Sequence, residues 1–192
     1  MIKLAIVGEI GSGKSFIAKQ FGYPVFNADI EVSKIYKKSK KCFNKLKKAL
    51  PKHIKTFPVK KNEILKSIVS KENNLKKIIK IIHPEVQINM KKFIKKHKNK
   101  KIIVLDIPLL IENKINKKND ILIFIDAKKK EIYKRLINRE RYDKKIFKIF
   151  KKFQLPIEIK KKKSDFIIKN NFKHNSVKKS VKILLEKILV YA

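Results

Sequence analysis

Gly8-Glu9-Ile10-Gly11-Ser12-Gly13-Lys14-Ser15 fits the pattern G-x-x-x-x-G-K-[ST], a phosphate-binding loop. Its flanks suit that reading. Ile2–Val7 is a short apolar run that predicts a buried strand, and Phe16–Phe21 predicts the helix that follows. The physics requires this order. Glycines let the backbone wrap closely around phosphate oxygens, so that successive N–H groups from Gly8 through Ile10, Gly11, Ser12 and Gly13 to Ser15 point at the anion. The helix N-terminus adds its positive end. Lys14 would reach the β- and γ-phosphates, and the Ser15 hydroxyl would hold Mg²⁺.

Further apolar runs predict strands at Pro24–Phe26, Ile102–Leu105, Ile121–Ile125 and Phe166–Ile168, with helical patterns between them. Alternation of this kind predicts an α/β fold, a parallel sheet covered by helices on both faces. The stretch from Ile30 to Lys98 breaks the alternation. Its apolar residues recur at helical spacing: Leu46, Ala49 and Leu50; Ile64, Leu65, Ile68 and Val69; Leu75, Ile78, Ile79 and Ile82. It is too long for a simple crossover and reads as a helical insertion beside the nucleotide site. Glu131–Phe153 is a second charged helical segment, split by a turn signal at Tyr142-Asp143 and suited to a two-helix lid. A last helix is expected from Ser176 to Val190. The Lys160–Lys163 run reads as a solvated loop or helix end.

A chain of 192 residues is long enough for one domain with a real core. The 43% apolar content excludes a disordered chain. The longest apolar stretch, Ile102–Ile111, is broken by Asp106 and is far shorter than the ~20 residues of a membrane helix. The first strand begins at once, leaving no room for a signal segment. Cys42 is the single cysteine, which excludes an intrachain disulfide and suits the cytoplasm. The net charge of +36 would by itself suggest nucleic acid. However, the charge is nearly all lysine spread along the whole chain, and Ile and Asn are over-used with it, as expected of an AT-biased genome. No specific nucleic-acid or membrane partner is expected. The three arginines, Arg135, Arg139 and Arg141, fall together within seven residues. Where drift favours lysine, arginine should persist where its planar fork is needed, as in bidentate phosphate contacts.

Two acidic residues stand where ligands bind in open parallel sheets, at the carboxyl ends of strands. Asp29, in Asn27-Ala28-Asp29, is placed to accept a proton from an attacking hydroxyl; it equally fits a helix N-cap. Asp106 ends the third strand and would hold Mg²⁺ through water, or cap the strand end. Pro108 then turns the chain out of the sheet. His83-Pro84 interrupts an apolar helical stretch and could cap or kink a helix. It has no second histidine at metal spacing, which excludes a zinc site.

Taken in order, these pieces resemble the dephospho-CoA kinase family. The family's G-G-I-G-S-G-K-[ST] stands here as GEIGSGKS, and its D-A-D as Asn27-Ala28-Asp29. Its His-Pro pair stands as His83-Pro84, and its P-L-L-[FVI]-E as Pro108-Leu109-Leu110-Ile111-Glu112. Arg135, Arg139 and Gln154 follow the family's lid spacing, and Ser164-Asp165 and Asn170 its last motif. The resemblance spans residues 2 to 171. The chain departs from the pattern at Glu9 (second glycine), Asn27 (first aspartate of D-A-D), Ser33 (commonly basic) and Lys61 (often arginine).

The resemblance implies a P-loop kinase fold with a five-stranded parallel sheet core. It implies a single domain: a core of residues 1–29, 99–130 and 155–192, a helical acceptor-binding insertion at 30–98, and a lid at 131–154. It also implies transfer of the ATP γ-phosphoryl group to the ribose 3′-hydroxyl of dephospho-CoA, with Mg²⁺ as cofactor. Lys14, Asp29 and Arg139 would be catalytic. The loop with Arg135 and Arg141 would bind ATP. Asp29, Lys61, His83, Pro108, Leu109 and Glu112 would bind the acceptor. The oligomeric expectation is a monomer or small homo-oligomer. Two other readings stay open at this point. One is a P-loop kinase for another small acceptor, such as a nucleoside monophosphate. The other is a basic nucleic-acid-binding module with a vestigial P-loop.

Overall fold

Five strands form one parallel sheet in the computed structural model, which describes residues 1–138 and 143–190. They are β1 (Ile2–Gly8), β2 (Val25–Asn27), β3 (Ile102–Asp106), β4 (Asp120–Ala127) and β5 (Phe166–Asn170). The spatial order is β2-β3-β1-β4-β5. The register runs Ile2↔Ile102 to Ile6↔Asp106 on one side of β1, and Lys3↔Asp120 to Gly8↔Ile125 on the other. β1 is therefore central. The chain leaves it for β2 on one side and, after β3, crosses to β4 on the other, so the carboxyl ends of β1 and β3 flank the switch point where such sheets bind ligands.

The strands are continuous apolar runs because helices cover both faces. Leu4 and Ile6 of β1 pack in one layer with Ile17 of α1 (Lys14–Gln20) and with Val177 and Val181 of α9 (His174–Val190). Ala5 and Val7 alternate to the other face and are equally buried. Every expected strand is present; four are longer by a residue or more, the second is shifted by one residue to Val25–Asn27, and α9 starts two residues before the expected Ser176.

Two compact units emerge from the packing. One holds the sheet: Met1–Asn27, His97–Tyr142 and Lys151–Ala192. It includes α6 (Lys129–Ile137) and α8 (Ile157–Lys162). The other is helical and holds Ala28–Lys96 with Asp143–Phe150. It contains α2 (Ala28–Lys38), α3 (Lys40–Ala49), α4 (Lys61–Ser70) and α5 (Asn73–Lys96). α7 (Lys144–Lys152) lies mostly in this unit. Local chemistry sets these boundaries. The Ser39 hydroxyl caps α3 by accepting from Cys42 N at 3.2 Å. Glu63 folds back to the Lys60 N–H at 3.3 Å at the start of α4. Leu75, Ile78, Ile82 and Val86 form the buried stripe of α5.

Four expectations need correction. Helix α2 begins at Ala28, so Asp29 is a first-turn residue and not an N-cap. Pro84 neither ends nor starts a helix; α5 runs through it for 24 residues, with the ring on an exposed position. Val69 is exposed and Ala49 and Ile79 are only half-buried, so the apolar stripes are narrower than their spacing suggested. Finally, Lys160 is not a solvated end. It lies inside α8, 2% exposed, and its Nζ meets the Glu112 carboxylate at 2.6 Å.

Candidate active site

The loop between β1 and α1 takes its shape from glycines that cannot be replaced in place. Gly11 has φ 87°, and a Cβ there would lie 3.0 Å from the side chains of Ile132 and Leu136 on α6. Gly13 has φ 89° and is the N-cap of α1, with no side chain capping the helix. A Cβ on it would come within 2.5 Å of Asn170 Nδ2. Both positions combine a left-handed backbone with a crowded neighbourhood, which only glycine tolerates. Lys14 Nζ curls back over the loop, donating to Glu9 O at 2.7 Å and Gly8 O at 3.1 Å. The ammonium is thus held over the backbone that would cradle a phosphate. Ser12 is buried and its hydroxyl has no hydrogen-bond partner among the described residues; Ser15 is exposed.

Asn170 secures this loop from the far edge of the sheet. It is 4% exposed at the end of β5. Its Nδ2 donates to Ser12 O at 2.8 Å and its Oδ1 accepts from Phe172 N at 2.8 Å. The second bond shapes the turn in which Phe172 adopts φ 61°. The Phe172 ring then faces Arg135, whose guanidinium carbon stands 4.6 Å from the ring centroid, a cation–π pair. Arg135 is therefore brought beside the phosphate loop, while Arg139 and Arg141 lie outside the described residues.

Asp106 is 2% exposed at the carboxyl end of β3 and accepts from Asn27 Nδ2 at 2.5 Å, across the register Asn27↔Asp106. The departure at Asn27 thus replaces a second carboxylate with an amide donor, and Asp106 keeps a charge-assisted bond in place of like-charge repulsion. Glu9, the other departure, lines a cleft of about 280 Å³ with Lys129, Lys151 and Gln154.

The expected acceptor residues divide between the two units. Pro108 is exposed and Leu109 half-buried with φ 58°, in the turn after β3. Glu112 in the same turn is engaged by Lys160 and by the Leu155 N–H at 3.0 Å. Asp29, Lys61 and His83 belong to the helical unit: Asp29 in the first turn of α2, Lys61 first in α4, His83 half-buried in α5. Burial holds the His83 imidazole below its ordinary pKa of 6.5. Asn170 stood in the last motif of the resemblance but was given no role, and Phe172 was not singled out at all. The usable signal was Asn170's place at the carboxyl end of the last strand, beside the loop-bearing ones.

An all-parallel sheet with a glycine-shaped, lysine-bearing loop at its switch point defines a P-loop kinase. The same architecture occurs in solved structures: Thermus thermophilus TT1252 at TM-score 0.79 and 23% identity, and dephospho-CoA kinase from Campylobacter jejuni at TM-score 0.62 and 23% identity. The match covers 97% of this chain in both cases, with 97% of the first structure and 96% of the second. The family model for dephospho-CoA kinase matches residues 2–176, and the chain belongs to that family. It is 33% identical to dephospho-CoA kinase of Wolbachia sp. subsp. Brugia malayi over 190 residues, 96% of this chain and 97% of that protein. It is 32% identical to the enzyme of Bartonella quintana over 191 residues, 97% of each.

Proposed function

We propose that the γ-phosphoryl group of ATP is transferred to the ribose 3′-hydroxyl of dephospho-CoA, with the residue roles that follow. The overall activity is that of the family: the chain phosphorylates dephospho-CoA to CoA. Lys14 and the loop amides hold the donor phosphates, and Arg135, held on the Phe172 ring beside the loop, binds ATP. Asp29 orients the 3′-hydroxyl and accepts its proton as the new O3′–P bond forms; the bond between the γ-phosphorus and the β–γ bridging oxygen breaks and ADP leaves. Asp29 is favoured over Asn27 because the Asn27 amide is a poor base and is already spent on Asp106. Arg139 and Arg141, from the segment joining α6 and α7, neutralise charge on the transferring group.

The residues present fit Mg²⁺. The Ser15 hydroxyl and the Asp106 carboxylate are hard oxygen donors at the ends of adjacent strands' loops. No cluster of three or more acidic, His or Cys side chains that could hold a metal occurs among the described residues. Mg²⁺ at this place would neutralise the β- and γ-phosphate oxygens. The family's place in coenzyme A synthesis and the single buried cysteine support a cytoplasmic chain, as a monomer or small homo-oligomer; no helix among the described residues is long and apolar enough to cross a membrane.

The observation that carries this reading is the Lys14 ammonium held on the carbonyls of Gly8 and Glu9 above a loop only glycine can form. The experiment is ADP release from ATP and Mg²⁺ with and without dephospho-CoA, at moderate salt. ADP that depends on the acceptor, with CoA as product, is expected. ADP formed regardless of acceptor, or none at all, overturns the assignment.

A further inference from the structure

Glu112 sits in a turn whose backbone is strained on both sides of it. Leu109 has φ 58° and Lys114 φ 51°, left-handed values that side chains disfavour. Such a turn persists only where its surroundings over-determine it. Leu110 and Ile111 do part of this by burial. Glu112 does the rest through the segment that returns to the sheet after α7. Its Oε1 accepts the Leu155 N–H at 3.0 Å and meets Lys160 Nζ at 2.6 Å. The Lys160 side chain is 3% exposed and that of Glu112 10%. A carboxylate so enclosed and so paired has little left to offer a substrate.

The partners matter because of where they lead. Gln154 and Leu155 line the cleft that Glu9 enters from the phosphate loop. Glu9 is the residue whose carbonyl holds Lys14 Nζ. Glu112 and Lys160 therefore fix Leu155, which lines one cleft with Gln154 and with Glu9, the residue whose carbonyl holds the loop lysine. A buried ion pair contributes little net stability over apolar groups of the same volume, and its best-attested use is to fix register.

We infer that Glu112 and Lys160 are a positioning pair that fixes the Gln154–Pro156 wall of the cleft that Glu9 of the phosphate-binding loop also lines. Glu112 then acts on catalysis through Glu9 and Lys14, and not by contacting dephospho-CoA.

Three variants test this: Glu112→Gln, Lys160→Met and the two combined. Each single variant leaves one buried group without its counter-charge. The combined variant leaves none, and its glutamine oxygen still accepts from Leu155, so it keeps the fold if the single variants lose it. The expected result is a kcat lowered roughly 10- to 100-fold in all three, with KM for dephospho-CoA within about threefold of the parent. The combined variant should melt within a few degrees of the parent and still show the low kcat, which separates register from stability. Parental kcat in the combined variant overturns the inference, because the pair is then only structural. A KM for dephospho-CoA raised about tenfold by Glu112→Gln but not by Lys160→Met also overturns it, because the carboxylate then touches the acceptor.

Discussion

Replacing Asn170 by alanine removes the tie between the last strand and the phosphate loop. Two hydrogen bonds of 2.8 Å are lost, one to Ser12 O and one from Phe172 N. Ser12 is fully buried, so its carbonyl loses a partner that water cannot readily replace; Phe172 is half-buried and its N–H is partly rescued by solvent. An orphaned buried group costs about 1–3 kcal/mol and a solvated one less, which together give about 2–4 kcal/mol. At about 2–4 °C per kcal/mol for a chain of this size, the melting temperature should fall by roughly 4–16 °C. The same release frees the loop before nucleotide binds. Re-ordering even one or two residues on binding costs about 2 kcal/mol, which corresponds to an ATP KM raised roughly 30-fold. The dephospho-CoA KM should move by less than about threefold. Thermal melting by circular dichroism and a coupled ADP assay, with each substrate varied in turn, measure both effects. A lower melting temperature with an unchanged ATP KM would refute the reasoning, because Asn170 would then hold only the sheet edge.

Four further outcomes are expected. Lys14→Ala should abolish turnover while leaving the circular dichroism spectrum intact; more than a tenth of parental activity would contradict the phosphate-loop role. Asp29→Asn should lower kcat by roughly 10²–10⁴ with little change in ATP affinity, as loss of a general base requires; equal losses in both, by titration calorimetry and rate, would mark a structural residue. Glu9→Gly should change ATP KM less than about threefold, since Lys129 and Lys151 share its cleft, and a tenfold drop in KM would show that its charge does oppose the phosphates. Burial lowers the folded-state pKa of His83, so the unfolded chain takes up its proton first as pH falls through about 6.5. Stability should therefore decline from pH 7 toward the lowered folded pKa, and the decline should be shallower in His83→Gln; parallel curves would rule His83 out as its source.

The sheet was legible because both of its faces are covered, which writes each strand as an apolar run whatever the rest of the composition does. The loop was legible because its glycines are fixed by steric limits that no other residue meets. Lys160 was not legible, because a lysine among lysines looks solvated; only its spacing of three from Ile157, on one face of α8, hinted that it turns inward. Glu112 was visible as part of a motif, but its partners lie 43 and 48 residues further on, a pairing made by tertiary structure alone. Pro84 misled because a proline inside a helix normally breaks it; α5 tolerates the ring on an exposed position, and the buried stripe on either side of it keeps the helix together. Asp29 was located to within its turn, but whether a helix begins one residue before or after it is below what spacing can resolve.

The chain has only four glycines, and all of them sit at positive φ. An average soluble chain of this length would carry about 13, most of them in places where another residue would serve. The difference acts on the denatured ensemble. Each glycine exchanged for a residue with a side chain at a compatible site stabilises by roughly 0.4–1 kcal/mol, because the disordered chain has fewer conformations to give up. Nine such exchanges amount to roughly 4–9 kcal/mol, comparable to the whole stability of a typical domain. A chain so rich in mutually repelling lysines can therefore remain folded partly because its disordered form is stiff.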